Sequence, residues 1–181
     1  MRYKHTIDEI KNMDGHVELI DGEIVITDVT SFQHNDAVYL FENAIRTYIK
    51  DNNGPCKVGR EQLGIWFDKI PGGDKYNFFM PDIMVICPPK EVFQYGTEYA
   101  PDLVIEVVSP SSRTYDYNQK RKMYKKIGVR EYWIIDSERK AAIQHLIEVN
   151  NFEPQTFYNA SEISIHIFND ELVIDLSELF E

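Results

Sequence analysis

The sequence is short of several things that would otherwise decide its class. It has only two cysteines, Cys56 and Cys87, and they form no C-x-x-C pair. Neither a disulfide-built scaffold nor a structural zinc site is therefore expected, and the expectation is two reduced thiols in a cytoplasmic protein. No run approaches the ~18 consecutive apolar residues of a membrane span. The first residues, Met1-Arg2-Tyr3-Lys4-His5, pass into Asp8-Glu9 without an apolar stretch, which predicts no secretory leader. No repeat, low-complexity tract or long linker divides the chain, so its 181 residues are expected to form one domain, 1–181. Positive charge is scarce: 19 Lys and Arg against 30 Asp and Glu leave a net charge of −11. That balance argues against indiscriminate binding to a phosphate backbone.

What is present points to a folded α/β chain. A hydrophobic fraction of 43% with 13% aromatics can fill a sizeable core. Thr6-Ile7-Asp8-Glu9 has the capping-box pattern of a short helix. Val17–Ile20 and Glu23–Ile26 flank Asp21-Gly22, a two-residue hairpin signal. Ser31 is positioned to cap a helix running to about Lys50, with Val38, Phe41, Ile45, Tyr48 and Ile49 at helical spacing and His34 one turn before Val38. Strands are expected near Gln62–Asp68, Ile83–Cys87, Leu103–Val108, Glu131–Asp136, Ala142–Val149 and Ile163–Phe168. A helix capped by Thr114 or Asp116 and ended by Gly128 joins the third of these to the fourth. That strand–helix–strand order is a crossover unit, so part of the sheet should be parallel.

Charge is unevenly distributed. From Arg113 to Arg130, seven cations face Asp116 alone, which reads either as a solvated helix face or as a surface that touches phosphates.

The chemical signals begin with Glu106, an acid inside the apolar run Leu103–Val108. A carboxylate is costly to bury ionised unless it is paired. It either reaches solvent or a buried Arg, or it holds a metal, and Mg²⁺ favours oxygen ligands. Two Pro-Asp pairs compete as its partner. Asp102 shares a strand with Glu106, ~13 Å away by strand rise, whereas Asp82 opens another strand, which can lie ~5 Å distant. Asp82 is the better partner, and Asp102 reads as a turn residue. Lys120 falls on the inward stripe with Tyr117, Tyr124 and Ile127, where it either snorkels or compensates the two acids. His34 reads as a satisfied core residue or a site residue, and Glu18, on a mixed hairpin face, as solvated.

Taken together, Val17-Glu18-Leu19-Ile20-Asp21-Gly22-Glu23, His34, Pro81-Asp82-Ile83-Met84-Val85 and Pro101-Asp102-Leu103-Val104-Ile105-Glu106-Val107-Val108-Ser109-Pro110 resemble the Uma-two family. So do Asp116-x-x-x-Lys120, Tyr124, Gly128-Val129-Arg130-Glu131-Tyr132-Trp133-Ile134-Ile135-Asp136 and the tail Asp175-Leu176-Ser177-Glu178-Leu179-Phe180. The resemblance spans nearly the whole chain. It implies an α/β (α+β), restriction-endonuclease-like mixed β-sheet flanked by helices, of the PD-(D/E)XK nuclease superfamily, and divalent-metal hydrolysis of DNA phosphodiester bonds. It casts Asp82 and Glu106 as ligands of Mg²⁺ or Mn²⁺, with Glu18, His34 and Lys120 as supporting site residues. One departure stands out: the superfamily's lysine follows the acidic ligand by two residues, and Val108 is there instead, so Lys120 would replace it from the helix. The expected partner is nucleic acid, DNA above all, with no membrane. A homodimer is compatible, since cutting both strands of a duplex is simplest with two sites. The rival expectations are a nuclease-like binding module without turnover and a hydrolase of smaller phosphoesters.

Overall fold

The structure is a computed structural model that describes residues 3–26 and 30–180. In chain order the elements are α1 (Ile7–Ile10), β1 (Val17–Ile20), β2 (Glu23–Ile26), α2 (Phe32–Asp51), β3 (Lys57–Arg60), β4 (Gly64–Trp66), β5 (Phe78–Phe79), β6 (Ile83–Ile86), β7 (Gly96–Thr97) and β8 (Leu103–Val107). A π-helical segment, Tyr115–Lys120, then runs into α3 (Arg121–Ile127). The chain closes with β9 (Glu131–Asp136), β10 (Ala141–Leu146), α4 (Ile147–Asn150), β11 (Pro154–Tyr158), β12 (Glu162–Ile165) and β13 (Leu172–Asp175).

A six-stranded sheet, ordered β11-β10-β9-β8-β6-β3, organises the molecule. Its β8–β9 pair is parallel and its other pairs are antiparallel, as the crossover through α3 requires. Strand alternation gives the sheet two apolar faces. Ile83, Val85, Leu103, Ile105, Trp133 and Ile135 pack on Phe41 and Ile45 of α2 and on the β12–β13 hairpin. Met84, Ile86, Val104, Tyr132 and Ile134 pack on Tyr124 and Ile127 of α3 and on Ile20, Ile65 and Phe79 of a smaller sheet. That smaller sheet has the order β2-β1-β5-β4-β7. No described helix is long and apolar enough to cross a membrane.

Local signals set the ends of the helices. Ser31 Oγ accepts from His34 N at 3.1 Å and opens α2, and Glu9 Oε2 accepts from Thr6 N at 2.7 Å at α1. Gly128, with φ 85°, closes α3 in the left-handed conformation that a side chain would resist. The strand expected over Gln62–Asp68 is only Gly64–Trp66, followed by a tight 3₁₀ turn at Phe67–Lys69. Those expected over Ala142–Val149 and Ile163–Phe168 end at Leu146 and Ile165, each turning into a short helix.

The expectation of two reduced cysteines is corrected: Cys56 and Cys87 are joined by a disulfide. They sit one step beyond the Lys57↔Ile86 pair of the β3–β6 register, so the fold sets directly opposite each other two residues that lie 31 apart in sequence.

Candidate active site

The antiparallel register of β6 and β8 pairs Ile83 with Ile105, and one step further along it Asp82 lies opposite Glu106. Both point to the face that also carries Met84 and Val104. Asp82 Oδ2 accepts from Val107 N at 2.7 Å, and Glu106 Oε2 lies 3.5 Å from Asp82 N. From β1, Glu18 reaches the same place, its Oε1 accepting from Met80 N at 2.7 Å. Glu18 is buried, not solvated as its mixed hairpin face suggested, because that face of the smaller sheet packs against the large sheet and the segment that carries Lys120. Asp102 stands at the opposite end of β8, accepting from Cys87 N and Lys90 Nζ, both at 2.8 Å, and plays no part here.

Lys120 is enclosed rather than snorkelling. Its Nζ lies 3.0 Å from both Glu106 Oε1 and Glu18 Oε1, and 3.6 Å from Asp116 Oδ1. Tyr124 Oη donates to the same Glu106 oxygen at 2.7 Å. The segment that carries Lys120 is π-helical, not the α-helix expected, and Asp116 is a buried side chain facing Lys120, not a cap. Its Oδ2 accepts from Ser112 Oγ at 2.6 Å. In the wider π turn, residues four apart line up better than residues three apart. Asp116, Lys120 and Tyr124 therefore share the inward face, while Tyr117 leaves it and donates to Asp136 Oδ2 at 3.0 Å. Asp116 was legible in the sequence only through its four-residue spacing from Lys120.

His34, set in the first turn of α2 by the Ser31 cap, brings Nε2 to 3.3 Å from Asp82 Oδ2. Burial disfavours its charged form, but the hydrogen bond and charge of Asp82 outweigh that and raise its pKa. Burial, reinforced by the charges of Asp116, Asp82 and Glu18, holds Glu106 well above the usual carboxylate range despite Lys120. Burial likewise lifts Asp116 to about 6. For Lys120 burial pulls downward, and the surrounding carboxylates, Glu106 foremost, overcome it and raise its pKa. Four carboxylates thus crowd one ammonium.

Glu18, His34, Asp82, Glu106 and Lys120 all line one cavity of about 610 Å³. The arginines at its rim are already paired: Arg60 with Glu61 and Glu42, Arg113 with Asp136 and Glu138. None of Arg121, Lys122, Lys125 and Lys126 lines the cavity, and Lys126 pairs with Asp74 at 3.4 Å. Of the basic stretch singled out in the sequence, Arg113 and Lys120 thus line the cavity, and these four cations do not.

The fold is similar to that of a crystal structure described as "a putative nuclease belonging to DUF820", from Anabaena variabilis ATCC 29413. The two match with a TM-score of 0.79 over 97% of each chain, at 22% identity, which establishes the shared fold. The chain belongs to the Uma2 family, described as "Putative restriction endonuclease", which it matches over residues 3–177. Two uncharacterized proteins of Synechocystis sp. are also similar. With slr1290 it shares 28% identity over 109 residues, 59% of this chain and 53% of the relative. With sll1609 it shares 30% over 123 residues, 66% of this chain and 65% of the relative. The aligned region thus spans about half to two thirds of these relatives' own length.

Proposed function

We propose that this chain is a divalent-metal-dependent nuclease that hydrolyses DNA phosphodiester bonds, with Asp82 and Glu106 holding Mg²⁺ or Mn²⁺. The observation that carries the reading is the facing position of these two carboxylates on β6 and β8, inside a cavity where acids outnumber the one buried ammonium. The donors are all oxygen, as a hard cation prefers. Among the described residues no three His, Cys, Asp or Glu side chains form a ready-made ligand set, so an ion held by Asp82 and Glu106 would have to keep several waters. A cation here also offsets the like-charge crowding that raises the Glu106 pKa. Held by Asp82 and Glu106, such an ion would supply Lewis-acid polarisation of a scissile phosphate and a lowered pKa for an attacking water. Lys120 holds fixed positive charge beside Glu106, where it can stabilise charge developing on phosphoryl oxygens. Glu18 also holds Lys120, its Oε1 3.0 Å from Nζ. His34 shares Asp82 and can hold or pass a proton at Nε2. The family's description and that of the similar crystal structure support this reading.

The test pairs calorimetry with cleavage. Mn²⁺ should bind the wild type and not Glu106→Gln, and cleavage of plasmid DNA should need the metal and fall ~10²–10³-fold in Lys120→Met. Equal Mn²⁺ affinity in wild type and Glu106→Gln would overturn the metal site. Metal binding without cleavage of any DNA would favour a binding module, and cleavage of nucleotides but not polymers a hydrolase of smaller phosphoesters.

A further inference from the structure

Away from the cavity, the outer strands of the large sheet carry a second depression of about 330 Å³, which shares no lining residue with the first. Its floor follows from the β10–β11 register, in which Ala141 faces Tyr158, Ile143 faces Thr156 and His145 faces Pro154. These alternate positions point to one side of the sheet, the side on which α3 packs, and Ala141, Ile143 and Pro154 make the floor partly apolar. Tyr117 and Arg121 form one wall, and Arg139, from the turn between β9 and β10, forms another.

Three features of this depression call for a ligand. The first is unspent positive charge in a protein of net charge −11. Arg121 makes no ion pair with any described residue, and Arg139 is held only loosely, its Nε 3.8 Å from Asp136 Oδ2 and its guanidinium 5.7 Å from the Tyr117 ring centroid. The second is aromatic surface: Tyr158 is 70% exposed at the edge strand. The third is an orphaned acceptor. His145 is 1% exposed and fixed in a stack with Tyr132 and Phe152. Its Nδ1 lies 2.9 Å from the Phe152 carbonyl, which can only accept, so Nδ1 carries the proton and Nε2 is a bare acceptor. Nε2 is buried with no hydrogen-bond partner, a costly arrangement unless something fills it. Burial lowers the His145 pKa to about 4, so the ring stays neutral near pH 7.

We propose that this depression is a nucleotide site, with the phosphate held by Arg121 and Arg139, the base laid on the floor against Tyr158, and an N–H or O–H of base or sugar donated to His145 Nε2. Arginine forks suit phosphate oxygens, and stacking on aromatic side chains is the sequence-tolerant way to hold a base. An acidic peptide would satisfy the arginines but brings no aromatic face to lie against the exposed Tyr158, which favours a nucleotide. The ligand is either a free nucleotide or one unit of a single strand, and the two are separable.

The experiment uses the full chain in EDTA, so that it stands whether or not the metal-dependent reading of the cavity holds. Binding of AMP and of a short fluorescein-labelled single-stranded DNA is followed for the wild type and three variants. Arg121→Gln with Arg139→Gln should weaken binding by about tenfold or more. Thr156→Trp, which fills the floor without altering charge, should abolish it. Lys122→Gln with Lys125→Gln, an equal loss of charge outside the depression, should change affinity by no more than about twofold. Losses for AMP and the strand together assign a free-nucleotide site, and losses for the strand alone assign a strand unit. Absence of binding by both probes, an equal effect of the lysine control, or equally tight binding of an acidic peptide would overturn the proposal.

Discussion

Two buried glutamates on neighbouring parallel strands, Glu106 on β8 and Glu131 on β9, meet opposite fates. Glu131 points to the α2 face and is wholly satisfied by neutral donors. Its Oε1 accepts from Trp133 Nε1 at 2.7 Å, Gln144 Nε2 at 2.9 Å and His166 N at 3.0 Å, and its Oε2 from Ile167 N at 2.9 Å. It ties the turn after β12 to the main sheet and lines neither of the two cavities described above. Glu106 points to the other face, lies among three more carboxylates, and leaves Oε2 with a single 3.5 Å contact at a cavity wall. Burial alone therefore does not mark a functional acid. What distinguishes Glu106 is incomplete satisfaction among like charges, in a place that a cation and a phosphate can reach.

The largest expected effect falls on the structural member of the pair. Glu131→Ala strands two side-chain donors and two backbone N–H groups, at ~1–3 kcal/mol for each that stays dry, so a loss of about 4 kcal/mol or more is expected in urea unfolding. Glu131→Gln keeps an acceptor and should lose less, which preserves a measurable protein if the alanine variant does not fold. Glu106→Gln keeps an acceptor for Lys120 and Tyr124 and removes a crowded charge, so its stability should stay within about 1 kcal/mol of wild type or rise. A Glu106→Gln variant as unstable as Glu131→Ala would break the comparison.

Lys120→Met sharpens it. Among the described residues Lys120 is the one ammonium in this group of buried carboxylates, and removing one partner of such a buried pair costs ~3–5 kcal/mol. The loss should be large at pH 7 and smaller at pH 5, where the acids can take up protons instead. Unfolding measured at both pH values in EDTA checks this, and a loss independent of pH would assign Lys120 to packing alone.

Much of this site was legible because alternation and register carry it. An acid inside the apolar run Leu103–Val108 and a second acid opening the strand Ile83–Ile86 can share a face only if the strands pair. That pairing is what the β6–β8 register provides. The Ser31 cap, the Asp21-Gly22 hairpin and the Gly128 stop are local signals, and the structure keeps them. What the sequence hid depends on distant packing. The Cys56–Cys87 bridge follows from the pairing of β3 with β6, and β3 itself, four residues without alternating polarity, has no periodic signature. Asp116 showed only in its four-residue spacing from Lys120, because its place at the start of the helix also fitted a cap, whereas it lies inside the helical segment and faces inward. Glu131 was read as an ordinary strand residue because its donors come from β9, β10 and the turn after β12.

The smallest effect tests whether crowding extends to Asp116, which is as buried as Glu131 but leaves Oδ1 without a hydrogen bond. Burial, with the charges of Asp82 and Glu18 adding to it and Lys120 and Ser112 opposing, lifts its pKa from 3.8 to about 6. Between those two values the folded protein retains a proton that the unfolded chain has released. Stability must then fall as pH rises through that window. Asp116→Asn removes the linkage while keeping an acceptor for Ser112 Oγ. Urea unfolding in EDTA at several pH values from about 4 to 7 should show the variant gaining on the wild type as pH rises, then levelling off above about 6. Parallel curves would mean that Asp116 is held as quietly as Glu131. The crowding that sets the cavity apart would then be confined to Glu18, Asp82, Glu106 and the lysine they share.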